Sequence, residues 1–122
     1  MSVHLLTPVG LRSLSPQDPA FHSICQGDTY LRDSAYHHDK VWAWLLGPYL
    51  TALVRERGKT CRNQGLKLMQ AVQNHLSESG IGQISEIFDG HAPHAPRSCI
   101  VQAWSVAEIA RAYVEDLLDS GP

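Results

Sequence analysis

The stretch from Gly82 to Ser105, GQISEIFDGHAPHAPRSCIVQAWS, gathers most of the side chains in this sequence that could do chemistry. Glu86 and Asp89 stand three apart, and His91, His94, Cys99, Gln102 and Trp104 follow. Glu86 lies between Ile84 and Ile87. A carboxylate held among apolar neighbours loses hydration, which favours its neutral form and makes it a usable general acid or base. A solvated loop charge is the plainer alternative. Asp89-x-His91-x-x-His94 with Cys99 supplies metal-ligand types, but the spacing matches none of the usual zinc patterns. Pro93 and Pro96 constrain the loop, and apolar Ile100 and Val101 follow the cysteine. No metal site is expected.

A second cluster is DSAYHHDKVWAW, residues 33–44. Tryptophans at i and i+2 point to different faces of a helix, so Trp42 and Trp44 do not fill one core position. One of them is a candidate platform for the flat apolar face of a sugar ring; two core tryptophans are the alternative. His37 and His38 are ligand-binding donors or turn histidines. The chain has no Gly-rich phosphate loop, no G-x-S-x-G nucleophile motif and no basic-aromatic stripe. Hydrolysis by two carboxylates is the chemistry these residues suit best.

The elements that must hold these groups are mostly helical. Residues 1–35 read as irregular, with Pro8, Gly10, Pro16 and Pro19 favouring turns. KVWAWLLGPYLTALVRER, from Lys40 to Arg57, reads as a helix apolar nearly all round and therefore buried on both sides. Asp39 is its expected N-cap, and interior Pro48 is expected to kink it. After Gly58, Leu66, Met69, Val72 and Leu76 mark an amphipathic helix over 62–79, with Gly80 as its C′ residue. GQISEIF alternates briefly, as a short strand or extended loop. Ser105 and Glu108 fit a capping box, and Trp104 with Ile109 a hydrophobic staple, so a last helix is expected from Ser105 to near Ser120. A buried helix followed by an amphipathic one suggests two concentric helical layers. The chain alone supplies too little to cover both sides of 40–57, which points to a missing remainder or an oligomer.

Composition narrows the class. The 122 residues suit one small domain or a piece of a larger one, and 43% hydrophobic residues suit a packed core. A net charge of -2 gives no sign of nucleic acid or an anionic membrane as partner. No apolar run approaches the ~20 residues of a membrane span. The start, MSVHLLTPVGL, lacks the basic and apolar regions of a signal peptide. Cys25, Cys61 and Cys99 are scattered and odd in number, as in a reducing compartment, so a cytoplasmic location is expected.

Three strings in register carry a resemblance: GLRSLSP, then QGDTYLRDSAYHHDKVWAWLLGPYLTALVR, then GQISEIFDGHAPHAPRSCIVQAWSVAEIARAY. Together they resemble the C-terminal part of bacterial glycogen debranching enzymes of the amylo-α-1,6-glucosidase type, over about residues 7 to 115. The resemblance implies an all-α fold, part of an (α/α)6 toroid of the six-hairpin glycosidase kind. This chain would supply three to four helices and a long functional loop. It implies a single segment, 1–122, that is a C-terminal fragment of such a catalytic domain.

The resemblance also implies roles. Glu86, in SEIFDG, falls where the family places the base that activates water in an inverting hydrolysis of α-1,6 branch linkages. Inverting enzymes need a second carboxyl group ~6.5–9.5 Å away as the acid. In such toroids it comes from an earlier helical hairpin that this chain does not include. Asp28 and Asp33 fall in the GD…RD segment, which positions sugar or holds the loop. His37, Trp42 and Trp44 line the inner end of the pocket, and Asp89, Gln102 and Trp104 lie beside the base loop. Glycogen or another α-glucan is the implied partner, with no metal or organic cofactor. The chain departs from the family at YHHDKVWAW, where the family reads roughly YHQGTVWPW, and at His91, where it carries an acidic residue. These changes lie at the rim of the expected pocket. Alternatives to a hydrolase segment are a non-catalytic carbohydrate-binding remnant and a small helical protein that self-associates through 40–57.

Overall fold

Val41 and Phe88 lie opposite each other on two short antiparallel strands, both fully buried. The computed structural model that places them describes residues 2–21, 40–77 and 81–118. Asp28, Asp33, His37, His38, Asp39 and Gly80, to which the sequence assigns site or capping roles, lie outside the described residues.

A short helix α1 (Ser2–Leu5) leads into β1 (Leu6–Thr7) and β2 (Gly10–Arg12). Strand β3 (Lys40–Trp42) follows, then a 3-10 turn (Ala43–Leu45) and helix α2 (Leu46–Arg57). A second 3-10 turn (Gly58–Cys61) connects to α3 (Arg62–His75). Strands β4 (Ile87–Asp89) and β5 (Pro96–Arg97) come next, then α4 (Ala103–Ala112) with a π-helical turn (Tyr113–Leu117). The five strands form one antiparallel sheet in chain order. Helices α2, α3 and α4 supply Leu46, Leu50, Met69, Val72 and Ala112 to the core, joined by Leu117 of the π turn and by Val41 and Phe88 of the sheet. Among the described residues no helix is long and apolar enough to cross a membrane.

This architecture corrects the all-α expectation. Helices and a five-stranded antiparallel sheet share one core, and the described chain is not an all-α toroid segment. The error sits at Lys40–Trp42, read as the first turn of a helix. A short apolar run has no period that separates a buried strand from a buried helix. β-Branched Val41 and aromatic Trp42 suit a pleated surface, and their backbone partners, Phe88 and Ile87, are far away in sequence.

Two further readings change with it. Because α2 starts at Leu46, Pro48 is its third residue rather than an interior one. The first four N–H groups of a helix have no intrahelical acceptor, so a proline there removes no ladder bond. The helix is also one-sided within the described chain: Leu46, Leu50 and Leu53 are buried, while Pro48 and Ala52 are exposed. It ends as expected at Gly58, whose φ of 72° is the left-handed conformation that glycine adopts freely.

The last helix starts at Ala103, with Gln102 as its N-cap, so Ser105 is not the cap. Ser105 lies inside the first turn, fully buried, and its Oγ has no hydrogen-bond partner among the described residues. Glu108 makes no capping contact; it accepts from Arg111, with Nη2 to Oε2 at 3.0 Å. Arg111 also reaches Glu115 and the Thr51 hydroxyl, tying α4 to α2, and these carboxylates raise its guanidinium above the usual arginine value. Helices α2 and α4 touch closely at Gly47, where a Cβ would stand 2.8 Å from the Glu108 carbonyl oxygen.

Candidate functional site

Strands β3 and β4 set the frame of the site, with Lys40 opposite Asp89, Val41 opposite Phe88 and Trp42 opposite Ile87. Alternation turns Val41 and Phe88 into the helical core and leaves Lys40, Trp42, Ile87 and Asp89 on the other face. Lys40 is fully buried and sets its Nζ 3.3 Å from Asp89 Oδ1. Arg97 donates from Nε and Nη2 to Oδ2 at 3.0 and 2.8 Å. Both oxygens of Asp89 are thus engaged by cations, as a buried charge requires.

The same aspartate organises the HAPHAP turn through its backbone. Its N–H donates to the Ala95 carbonyl at 3.0 Å, and its carbonyl accepts from His94 Nδ1 at 2.8 Å. Arg12 donates from Nε to the Gly90 carbonyl at 2.8 Å, and burial pushes its guanidinium below the ordinary arginine value. The Ala92–Pro93 peptide is cis. His91 packs on Phe21, and Cys99 donates its thiol to the Val101 carbonyl. Among the described residues no three His, Cys, Asp or Glu side chains come together in a metal-binding group.

Glu86 stands one residue before β4, half-buried, in a run where Ile84, Ser85 and Ile87 are all buried. Its N–H donates to the Cys99 carbonyl at 2.9 Å, and the Gln102 N–H donates to the Ile84 carbonyl at 3.0 Å. The Glu86 loop and the QAWS segment therefore run side by side. The Ser98 hydroxyl donates to Glu86 Oε2 at 2.6 Å, from a backbone with φ of 58°, a left-handed conformation unusual for serine.

The three tryptophans converge. Trp44, in the 3-10 turn after β3, stacks on Trp104 in the first turn of α4, with ring centroids 4.2 Å apart and planes 21° from parallel. With Ser13, Trp42 and Leu45 they line an open, nearly wholly apolar pocket of about 260 Å³. Trp104 remains 52% exposed, so its ring is reachable from solvent. Glu86 is not among the residues lining this pocket; the link between the two is the register, which sets Trp42 opposite the residue after Glu86.

Of the site residues expected from sequence, the structure thus groups Trp42, Trp44 and Trp104 in one pocket and ties Gln102 to the Glu86 loop by one backbone bond, to Ile84. Asp89 lies on β4 in the buried ion-pair cluster. The sequence reading passes over Ser98, which touches the carboxylate, and Lys40 and Arg97, which hold Asp89. It also passes over His75, which holds Ser85; its position three residues after Val72, on the apolar stripe of α3, is the signal that marks it. A second apolar pocket of about 250 Å³ lies between α3 and α4, lined by Met69, Val72, Ile84, Val106 and Ile109 among others.

Comparison with known families bears directly on this arrangement. The family model described as amylo-alpha-1,6-glucosidase matches residues 1–111, which include Glu86, all three tryptophans and the whole sheet. With nine-tenths of its length matched, the chain belongs to the amylo-alpha-1,6-glucosidase family of glycogen-debranching glycosidase domains.

Proposed function

We propose that this chain carries the water-activating half of an inverting α-1,6-glucosidic hydrolysis, with Glu86 as general base. The observation that supports this best is the setting of Glu86: a half-buried carboxylate in an otherwise buried run, on a loop fixed by backbone bonds at Ile84 and Glu86. Such a group has reduced hydration and a defined direction, both of which help it take a proton from a water molecule. Inversion needs a second carboxyl group ~6.5–9.5 Å away across the scissile bond. Asp89 is unsuited to that task, because Lys40 and Arg97 occupy both its oxygens. The acid comes from a part of the catalytic domain outside this chain.

In this reading the substrate is a branched α-glucan. Trp42, Trp44 and Trp104 offer flat apolar faces to sugar rings, and Gln102, Asp28, Asp33 and His37 complete the contacts. Asp89 serves by holding the turn beside the base. No cofactor takes part, and the protein works in the cytoplasm, joined to the remainder of its domain. The test is hydrolysis by the chain joined to the remainder of a debranching-enzyme catalytic domain. Glu86→Gln should lower glucose release from a branched dextrin by about 10²–10⁴-fold. Full activity in that variant would end the base reading, and enzyme-like turnover by the 122-residue chain alone would end the claim that the acid lies outside it.

The Ser98 hydroxyl on Glu86 favours a second reading, a carbohydrate-binding module without turnover, because it already fills one oxygen of the base. Sugar binding that survives Glu86→Gln, with no hydrolysis in the joined protein, would select it.

A further inference from the structure

His75 ends helix α3 and is 2% exposed. Its ring stands edge-on to Phe88, with centroids 4.8 Å apart and planes 74° from parallel. Its Nε2 lies 3.3 Å from the Ser85 backbone nitrogen and 3.2 Å from Ser85 Oγ. A backbone N–H can only donate, so Nε2 is the accepting nitrogen and carries no proton. Ser85 is itself fully buried and directly precedes Glu86. A buried serine with its amide and hydroxyl both aimed at one ring nitrogen is fixed in position as well as in depth.

Three separate contacts, from two elements, therefore fix the backbone around Glu86. The Gln102 N–H holds the Ile84 carbonyl, the Cys99 carbonyl holds the Glu86 N–H, and His75 holds Ser85 between them. The first two bonds come from the segment leading into α4. The third comes from α3, and it is the one that ties the loop to the helical core through Phe88.

We propose that His75 is a positioning residue for the Glu86 carboxylate, acting through its double contact with Ser85. The proposal rests on the reading of Glu86 as the working carboxylate, but its test does not depend on hydrolysis. The full chain is labelled for NMR, and two signals are followed: amide exchange at Ser85 and Glu86, with Leu50 in α2 as the core reference, and the Glu86 carboxyl carbon. His75→Leu keeps bulk and removes the acceptor; His75→Gln keeps an oxygen acceptor near the place of Nε2.

In His75→Leu, exchange at Ser85 and Glu86 should rise about tenfold relative to Leu50, and the Glu86 carboxyl signal should shift. His75→Gln should return both towards wild type. If His75→Leu lowers only the melting temperature and leaves both signals at their wild-type values, His75 is merely structural and the proposal falls. Failure of His75→Gln to restore the signals in a folded protein overturns it as well. Should His75→Leu not fold, Ser85→Ala removes one of the two bonds in place of the ring, and an unmoved Glu86 signal there is equally fatal. The tether can hold while Glu86→Gln keeps full hydrolysis in the joined protein, so the two ideas fail separately.

Discussion

Trp44 and Trp104 stack with ring centroids 4.2 Å apart although one follows strand β3 and the other opens helix α4. The contact joins the two stretches that flank the Glu86 loop in space, and it shapes the tryptophan pocket. A stacked pair of this kind adds about 0.5–1.5 kcal/mol beyond its burial. Trp104→Ala loses this term together with the buried half of the ring, so it should cost more than about 1 kcal/mol of stability and abolish any tryptophan fluorescence response to maltooligosaccharides. A titration of the variant that matches wild type would show that sugars do not use this pocket.

Asp89 separates a buried from an exposed ion pair on one carboxylate. Lys40 is fully buried, whereas the Arg97 side chain is 48% exposed. Asp89→Asn leaves Lys40 without its counter-charge and should destabilise the fold by about 3–5 kcal/mol. Arg97→Ala should cost no more than about 1 kcal/mol. Urea unfolding of both variants decides it; equal losses would mean that Lys40 is hydrated in solution.

At Gly47 the packing of α2 on α4 leaves no room for a side chain. A Cβ there would meet the backbone carbonyl of Glu108 at 2.8 Å, an atom that cannot rotate away. Gly47→Ala should destabilise the protein by about 1–3 kcal/mol, although alanine favours helices. Thermal melting of the variant at or above wild type would refute the close approach.

Ser98 sets two effects against each other. Its φ of 58° carries strain of about 1 kcal/mol that glycine would relieve. Its hydroxyl donates to Glu86 Oε2, and losing that bond costs stability. Ser98→Gly should be as stable as wild type, or more so, while Ser98→Ala keeps the strain, drops the bond and loses about 0.5–1.5 kcal/mol. Alanine and glycine variants of equal stability would contradict the backbone conformation.

Much of this was legible in the residues. The apolar spacing of Met69 and Val72 marks the inward face of α3, Gly58 marks the end of α2, and Ile84 and Ile87 mark the buried run in which Glu86 stands. Leu66 shows the limit, since it fits the same stripe yet remains 41% exposed. The strand at Lys40–Trp42 was not legible, because strand pairing is a relation to distant residues and leaves no local period in so short a run. The start of α4 was misread for a related reason: Ser105 and Glu108 satisfy a capping pattern, but the stacking of Trp104 on Trp44 accompanies a helix that begins earlier. The pairing of Asp89 with Lys40 depends on that same strand register and was hidden with it.

The place of β3 and β4 in the chain has a kinetic consequence. They are neighbours in the sheet, yet both α2 and α3 separate them in sequence. The pairing of Trp42 with Ile87 closes a long loop over both helices, and the entropy of that closure is spent before the contact forms. The sheet should therefore set the pace of folding, and because Val41 and Phe88 also pack in the helical core, strands and helices should be lost together, with tryptophan fluorescence and the helical circular-dichroism signal falling in one transition.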